Sequence, residues 1–236
     1  PCRPGRSTAA EFSRPGAPRS RRPLPWIKPR RAAAVMLAAP LLQPREASAL
    51  GKRIAIIDGH PDPDPARFGH ALAQAYAEGA LEDGHEIRRV DVASLDVGFL
   101  RSARSWERDG PTPDIAAAQE AIAWAEHLVI VYPLWLGAMP ALLKAFFEQA
   151  FRPGFAIARG ARTMWPGLLN GRSARIVVTM GMPALLYRWY FFAHSLRSLE
   201  RNILGFVGIA PVHETLVGQV DKLDDAARDR WMHKLG

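Results

Sequence analysis

Cysteine is nearly absent: the 236 residues contain one, Cys2. An intrachain disulfide, a cysteine-rich zinc site and a catalytic thiol in the core are therefore excluded. No run of about 18 apolar residues occurs, so no transmembrane helix is expected. The aromatic stretch Ala184 to Leu196 is interrupted by Arg188 and His194. A Gly-x-Ser-x-Gly elbow is missing, which argues against a serine hydrolase. His70, His85, His127, His213 and His233 show no ligand spacing such as His-Glu-x-x-His, so no metal is expected. The segment Gly167-Leu-Leu-Asn-Gly171-Arg172-Ser173 has three residues between its glycines where a P-loop has four. It also lacks the lysine and precedes a strand. An excess of positive charge is missing too, once its location is considered. The formal charge is +8, but residues 1–50 hold ten Lys/Arg and two acids, whereas residues 51–236 hold 21 of each. The folding part is neutral, and no nucleic-acid partner is expected.

Residues 1–50 contain nine prolines and little periodicity, so no packed structure is expected there and the domain is read as 51–236. Arg30-Arg31, the apolar stretch Ala32 to Leu42 and Ala47-Ser48-Ala49 have the layout of a bacterial export signal. Pro40 interrupts that short stretch. The segment is therefore read as a leader or upstream extension, with the working start near Met36 or Gly51. On that reading the protein is cytoplasmic; on the other it is exported.

From Lys52 onward strands and helices alternate. Ile54 to Ile57 reads as a buried strand ending at Asp58-Gly59-His60-Pro61. Phe68, Leu72, Ala75, Tyr76 and Gly79 share a helical face, and Gly84 ends that helix. Glu86 to Val92 is a second strand, 95–112 reads as irregular, and Asp114 is a candidate cap for a helix through Ile115, Ala118, Ile122 and Ala125. His127 to Tyr132 is a third strand. Pro133 stops it, Gly137 permits a tight turn, and Pro140 opens a helix with Met139, Leu142, Leu143, Phe146, Phe147 and Ala150 on one face. Residues 152–172 form a long loop, Ala174 to Thr179 a fourth strand, Ser195 to Leu204 a helix, Val212 to Val217 a fifth strand, and Asp221 to Leu235 a closing helix. Five strands with intervening helices imply a parallel α/β sheet covered on both faces.

Three strand ends carry the functional signal: Gly59-His60-Pro61, Tyr132-Pro133-Leu134-Trp135-Leu136-Gly137 and Thr179-Met180-Gly181. In this order they resemble the flavodoxin-like NAD(P)H:quinone oxidoreductase family, over about residues 52–218. The resemblance implies a flavodoxin-like three-layer sandwich, a five-stranded sheet in the order 2-1-3-4-5, a bound flavin and a homodimer. It implies that the loop His60 to Gly69, with Arg67 and Phe68, holds the flavin phosphate. This chain has Arg67-Phe68-Gly69 where many relatives have Ser-Phe-Asn, and Asp62 and Asp64 work against phosphate unless they point outward. The loop Pro133, Leu134, Trp135, Leu136, Gly137 should lie against the isoalloxazine, with backbone N–H groups directed at its polar edge, and Thr179, Met180 and Gly181 should approach the ring. Some members use a Tyr and a His beyond the fourth strand to handle protons; Tyr187 stands at the matching offset and His194 one position off.

The implied activity is transfer of a hydride from NAD(P)H through the flavin to a quinone or similar small acceptor, by a ping-pong sequence. FAD is the expected flavin, with FMN as the alternative. A regulatory subunit of a membrane transport system, keeping the fold with weak or no turnover, is the competing class. A one-electron carrier ranks below both, because carriers are usually acidic at the docking face.

Overall fold

The structure, a computed structural model, describes residues 51–160 and 167–236. The leader reading of residues 1–50 and the centre of the 152–172 loop, 161–166, lie outside the described residues.

The sheet is built from β1 (Arg53–Asp58), β2 (Glu86–Asp91), β3 (His127–Pro133), β4 (Ser173–Thr179) and β5 (Val212–Val217). All pairings are parallel and the order is β2-β1-β3-β4-β5. The apolar runs in β1, β3 and β4 are explained by two-sided burial. Ala55, Ile57, Leu128, Ile130, Tyr132, Ile176 and Val178 face one core, while Ile54, Ile56, Val129, Val131 and Val177 face the other. The first core is covered by α3 (Pro113–Trp124), α4 (Ala141–Ala150) and the helical segment from His194 to Leu204. The second is covered by α1 (Phe68–Glu82) and α7 (Asp225–Leu235). Among the described residues no helix is long and apolar enough to cross a membrane.

Several local expectations change. The stretch 95–112 is not wholly irregular, because it contains α2 (Ala103–Arg108), whose start is capped by the Ser102 hydroxyl accepting from Ser105 N at 3.0 Å. Arg152 supports it from outside, donating to the carbonyls of Ser105 and Asp109. The cap of α3 is Thr112, with Pro113 in the first turn; Asp114 instead accepts from Asp96 N at 2.8 Å. Pro140 is the residue before α4 rather than inside it. The aromatic stretch forms a further short helix, α5 (Ala184–Trp189). The next helical segment begins at His194 as α6 (His194–Arg197) and continues as a π-helical turn over Ser198–Leu204. The closing helix starts later than Asp221, at the Asp224 cap. On α1, Gly79 lies against Gly236, where a Cβ would stand 2.2 Å from Gly236 O, so that glycine serves packing of α1 against the end of α7.

Candidate functional site

Parallel pairing brings the carboxyl ends of β1, β3 and β4 to one edge of the sheet. Gly59 N donates to Val131 O at 2.7 Å, Pro133 pairs with Thr179, and Leu134 N donates to Thr179 O at 2.7 Å. The three motifs are therefore neighbours, although up to 120 residues separate them in the chain. They enclose a cleft of about 590 Å³ lined by His60, Asp62, Ala66, Arg67, Phe68, Gly69, Pro133, Leu134, Trp135, Thr179, Met180 and Gly181. Val220, Asp221 and Arg228 close it from the C-terminal segment.

Of the expected site residues, His60, Arg67, Phe68, Pro133, Leu134, Trp135, Thr179, Met180 and Gly181 are thus brought together. Leu136 and Gly137 stand at the rim. They are the central pair of a tight turn in which Trp135 and Ala138 exchange backbone hydrogen bonds of 2.9 and 3.0 Å. Both have left-handed backbones, with φ of 48° at Leu136 and 77° at Gly137, as a primed hairpin turn requires. Glycine suits that conformation; leucine does not. Leu136 also projects its whole side chain into solvent, at 108% relative exposure. The turn corrects one expectation, since the N–H groups of Leu134 and Trp135 are spent on Thr179 O and Ala138 O. Those of Leu136, Gly137 and Gly181 have no hydrogen-bond partner among the described residues.

At the β1 end the charges are balanced locally. Arg67 is tied to Asp62, with Nε–Oδ2 at 2.8 Å and a guanidinium nitrogen at 2.7 Å from the same oxygen, and to Asp64 at 3.4 Å. The aspartates turn toward Arg67, which removes much of their repulsion for an anion and equally removes Arg67 as a free cation. Arg67 precedes α1 without a side-chain cap; His70 N donates to Arg67 O at 3.0 Å, and the N–H groups of Phe68 and Gly69 remain available. His60 is 8% exposed and stands edge-on to Trp135 at 6.0 Å between ring centroids. Burial, reinforced by neighbouring His70, lowers its pKa below the usual histidine value against the opposing Asp62 and Asp58. Neutral imidazole is the favoured form.

Tyr187 and His194 are not brought to the cleft. Tyr187 is 1% exposed; its hydroxyl pairs with Ser195 Oγ at 2.7 Å and accepts from Leu196 N at 3.3 Å. In this arrangement the phenol ties α5 to α6 instead of facing a ligand. His194 is exposed, 5.8 Å from the Phe192 ring.

Asp58, His70, Asp221 and Arg228 were not among the candidates read from the sequence. Arg228 comes from α7, spreads its guanidinium 5.4 Å from the Phe68 ring centroid and donates from Nε to Leu223 O at 3.3 Å. Among the described residues it has no carboxylate within ion-pair distance. Nothing in the local pattern of 225–235 marks it, because its place depends on how α7 packs against α1.

A family model described as a flavodoxin-like fold matches residues 52–235. An uncharacterized NAD(P)H oxidoreductase of Haemophilus influenzae is 27% identical over 177 residues, covering 73% of this chain and 87% of that protein. An FMN-dependent NADH:quinone oxidoreductase of Alteromonas mediterranea is 29% identical, covering 56% and 69%. The NAD(P)H dehydrogenase (quinone) 1 of Cavia porcellus is 27% identical, and the matched stretch is 58% of this chain but only 56% of that enzyme. Among solved structures, an NAD(P)H:quinone oxidoreductase from Methanothermobacter marburgensis superposes with a TM-score of 0.65 at 24% identity, covering 78% of this chain and 92% of that one; this likeness speaks to the fold. The order of the sheet, the three converging strand ends and the family match over residues 52–235 agree, and the chain belongs to the flavodoxin-like fold family.

Proposed function

We propose that this protein is a flavin-dependent NAD(P)H oxidoreductase that reduces quinones or similar small acceptors, with FMN as its flavin. The observation that carries the reading is the cleft itself: three strand-end loops of the resemblance converge on one cavity at the carboxyl edge of the sheet, where open α/β folds bind ligands. The sequence leaned toward FAD. FMN is preferred because the relative whose name specifies a flavin is FMN-dependent.

The residues present fit such a group. Unspent helix-start N–H groups, His60 and Arg228 together make an anion site. Trp135, Leu134 and Met180 supply flat apolar walls, and the free N–H groups of Leu136, Gly137 and Gly181 can stabilise negative charge on a reduced ring without adding a titratable group. Space is limited at Gly181, where a Cβ would stand 2.8 Å from Asp221 Oδ2. The flavin supplies the two-electron chemistry when bound; the chain orients the donor and the acceptor in turn against one face and excludes water there. That alternating use of one site is the ping-pong sequence.

The same reading includes a second copy of the chain. Leu185, Trp189 and Tyr190, on and beside α5, are exposed, and neighbouring apolar surface of this kind marks an interaction face. Sedimentation of the purified chain should therefore give a dimer mass.

FMN titration followed by fluorescence quenching, together with NADH consumption in the presence of a benzoquinone, tests the function. Saturable quenching and quinone-dependent turnover are expected. Flavin binding without turnover would instead favour the transport-subunit reading.

A further inference from the structure

A buried carboxylate, Asp58, pairs with the partly buried His70 at the end of β1. Asp58, the last residue of β1, is 2% exposed. Its Oδ2 lies 2.6 Å from His70 Nδ1 and 3.7 Å from an Arg89 guanidinium nitrogen. The other ring nitrogen, His70 Nε2, lies 2.9 Å from the Asp62 carbonyl oxygen. A carboxylate and a carbonyl only accept, so two hydrogen bonds require two N–H groups, and only the imidazolium has both. The consequence reaches the cleft through Asp62. Its backbone N–H stands 3.1 Å from His60 Nδ1. Its carbonyl, equally close to that nitrogen, is already engaged by His70. An amide N–H only donates, so the bond from Asp62 N makes Nδ1 of His60 the acceptor, and the single proton of this neutral ring sits on Nε2.

We propose that His70 is a positioning residue for the anion-binding end of the cleft: held as a cation between Asp58 and the Asp62 carbonyl, it fixes the loop and keeps the Nε2–H of His60 available to a ligand phosphate. The role rests on the flavin reading. It needs no contact between His70 and the ligand, and it accounts for an ionic pair at a place where burial penalises charge.

The groups facing His70 are Asp58 from β1, Asp91 from β2, and His60 and Asp62 from the loop, while Arg89 of β2 reaches the same Asp58 oxygen at 3.7 Å. Burial opposes its charge, but the bonds to Asp58 and Asp62 and the charges of Asp58 and Asp91 outweigh it, raising its pKa above the usual value. The clamp is therefore intact below that raised pKa and is lost as the pH rises through it. The second ionisation of a phosphate, near pH ~6, strengthens binding as the pH rises; it acts in a lower range and in the opposite sense, so the two effects separate.

The experiment is FMN titration of the full chain by fluorescence quenching, from about pH 6 to about pH 9, a span that brackets a raised histidine pKa. Wild type, His70→Gln and the double variant Asp58→Asn/His70→Gln are compared, with thermal unfolding of each. Wild type should lose affinity on the alkaline side. His70→Gln should bind roughly tenfold more weakly, as loss of a charged hydrogen bond implies, and without that alkaline decline. The double variant removes the carboxylate charge left without its imidazolium; it should recover the stability that His70→Gln loses but not the affinity. If His70→Gln matches wild type in affinity and pH profile, the positioning role is overturned while the flavin reading stands. If wild type itself binds neither FMN nor FAD, both fall. Nitrogen-15 spectra of labelled histidine give an independent readout: His70 protonated on both nitrogens near neutral pH supports the role, and a neutral His70 overturns it.

Discussion

Replacing Leu136 with glycine should move stability and binding in opposite directions. A left-handed backbone costs an L-residue about 1–2 kcal/mol, and Leu136 holds that conformation with φ of 48°. Because its side chain is fully exposed in the ligand-free chain, truncation forfeits no burial. Glycine returns about 0.5–1 kcal/mol through greater unfolded-state freedom. The balance is an unchanged or raised stability, by up to about 1.5 kcal/mol, or a Tm increase of up to about 3–6 °C for a domain of this size. Binding should weaken. A leucine that becomes covered by a flat ligand contributes up to about 1.5–3 kcal/mol, which corresponds to roughly tenfold to a hundredfold in affinity. Calorimetric unfolding of the ligand-free chain measures the first effect; FMN titration and the quinone KM measure the second. A loss of more than about 1 kcal/mol in stability would refute the strain argument. Unchanged values for both FMN and quinone would refute the placement of Leu136 over the ligand.

Two tyrosines give a paired test. Tyr132 has a buried hydroxyl without a partner among the described residues, so Tyr132→Phe should leave stability unchanged or raise it by about 1 kcal/mol. Tyr187→Phe strands Ser195 and Leu196 N and should lower it by about 1 kcal/mol; urea unfolding checks both. Arg67→Ala should weaken FMN binding by uncovering the repulsion of Asp62 and Asp64, whereas the triple variant that adds Asp62→Asn and Asp64→Asn should return to within roughly threefold of wild type, because the three charges offset one another. Arg228→Ala should weaken FMN binding roughly tenfold and flatten its salt dependence; titrations at two ionic strengths separate them. Finally, burial, aided by the positive charges of Lys52 and Arg175, lowers the His127 pKa to about 4. The folded state thus favours the neutral ring. The corresponding stability is present above the unfolded value near 6.5 and is lost as the pH falls from there through about 4, on the order of 2 kcal/mol once partial exposure is allowed for. His127→Gln should remove that part of the acid dependence, as read from unfolding at several pH values.

The sheet was legible because β1 and β3 are buried on both faces and so appear as uninterrupted apolar runs ended by Gly59 and Pro133, and β4 follows the same pattern broken only by Arg175. The Trp135–Ala138 turn was legible for a similar reason: Pro133 and Gly137 are local constraints. The short α2 was not, since its six residues depend on the Ser102 cap and on Arg152 reaching from 47 residues away. At the site, strand-end motifs announced themselves, whereas Asp58, His70 and Arg228 did not. A lone histidine one turn into a helix has no pattern; only the fold reveals that both its nitrogens face acceptors. Arg67 shows the converse. Its position suggested a phosphate partner, and the two neighbouring aspartates that occupy it became visible only in three dimensions.

The central claim is tested most directly by the visible spectrum of the purified full chain, saturated with FMN and kept anaerobic, before and after addition of NADH or NADPH. The account predicts a flavin band near ~450 nm that bleaches with pyridine nucleotide and returns when a quinone is added. A chain that binds no flavin, or a bound flavin that neither nucleotide reduces, would contradict it.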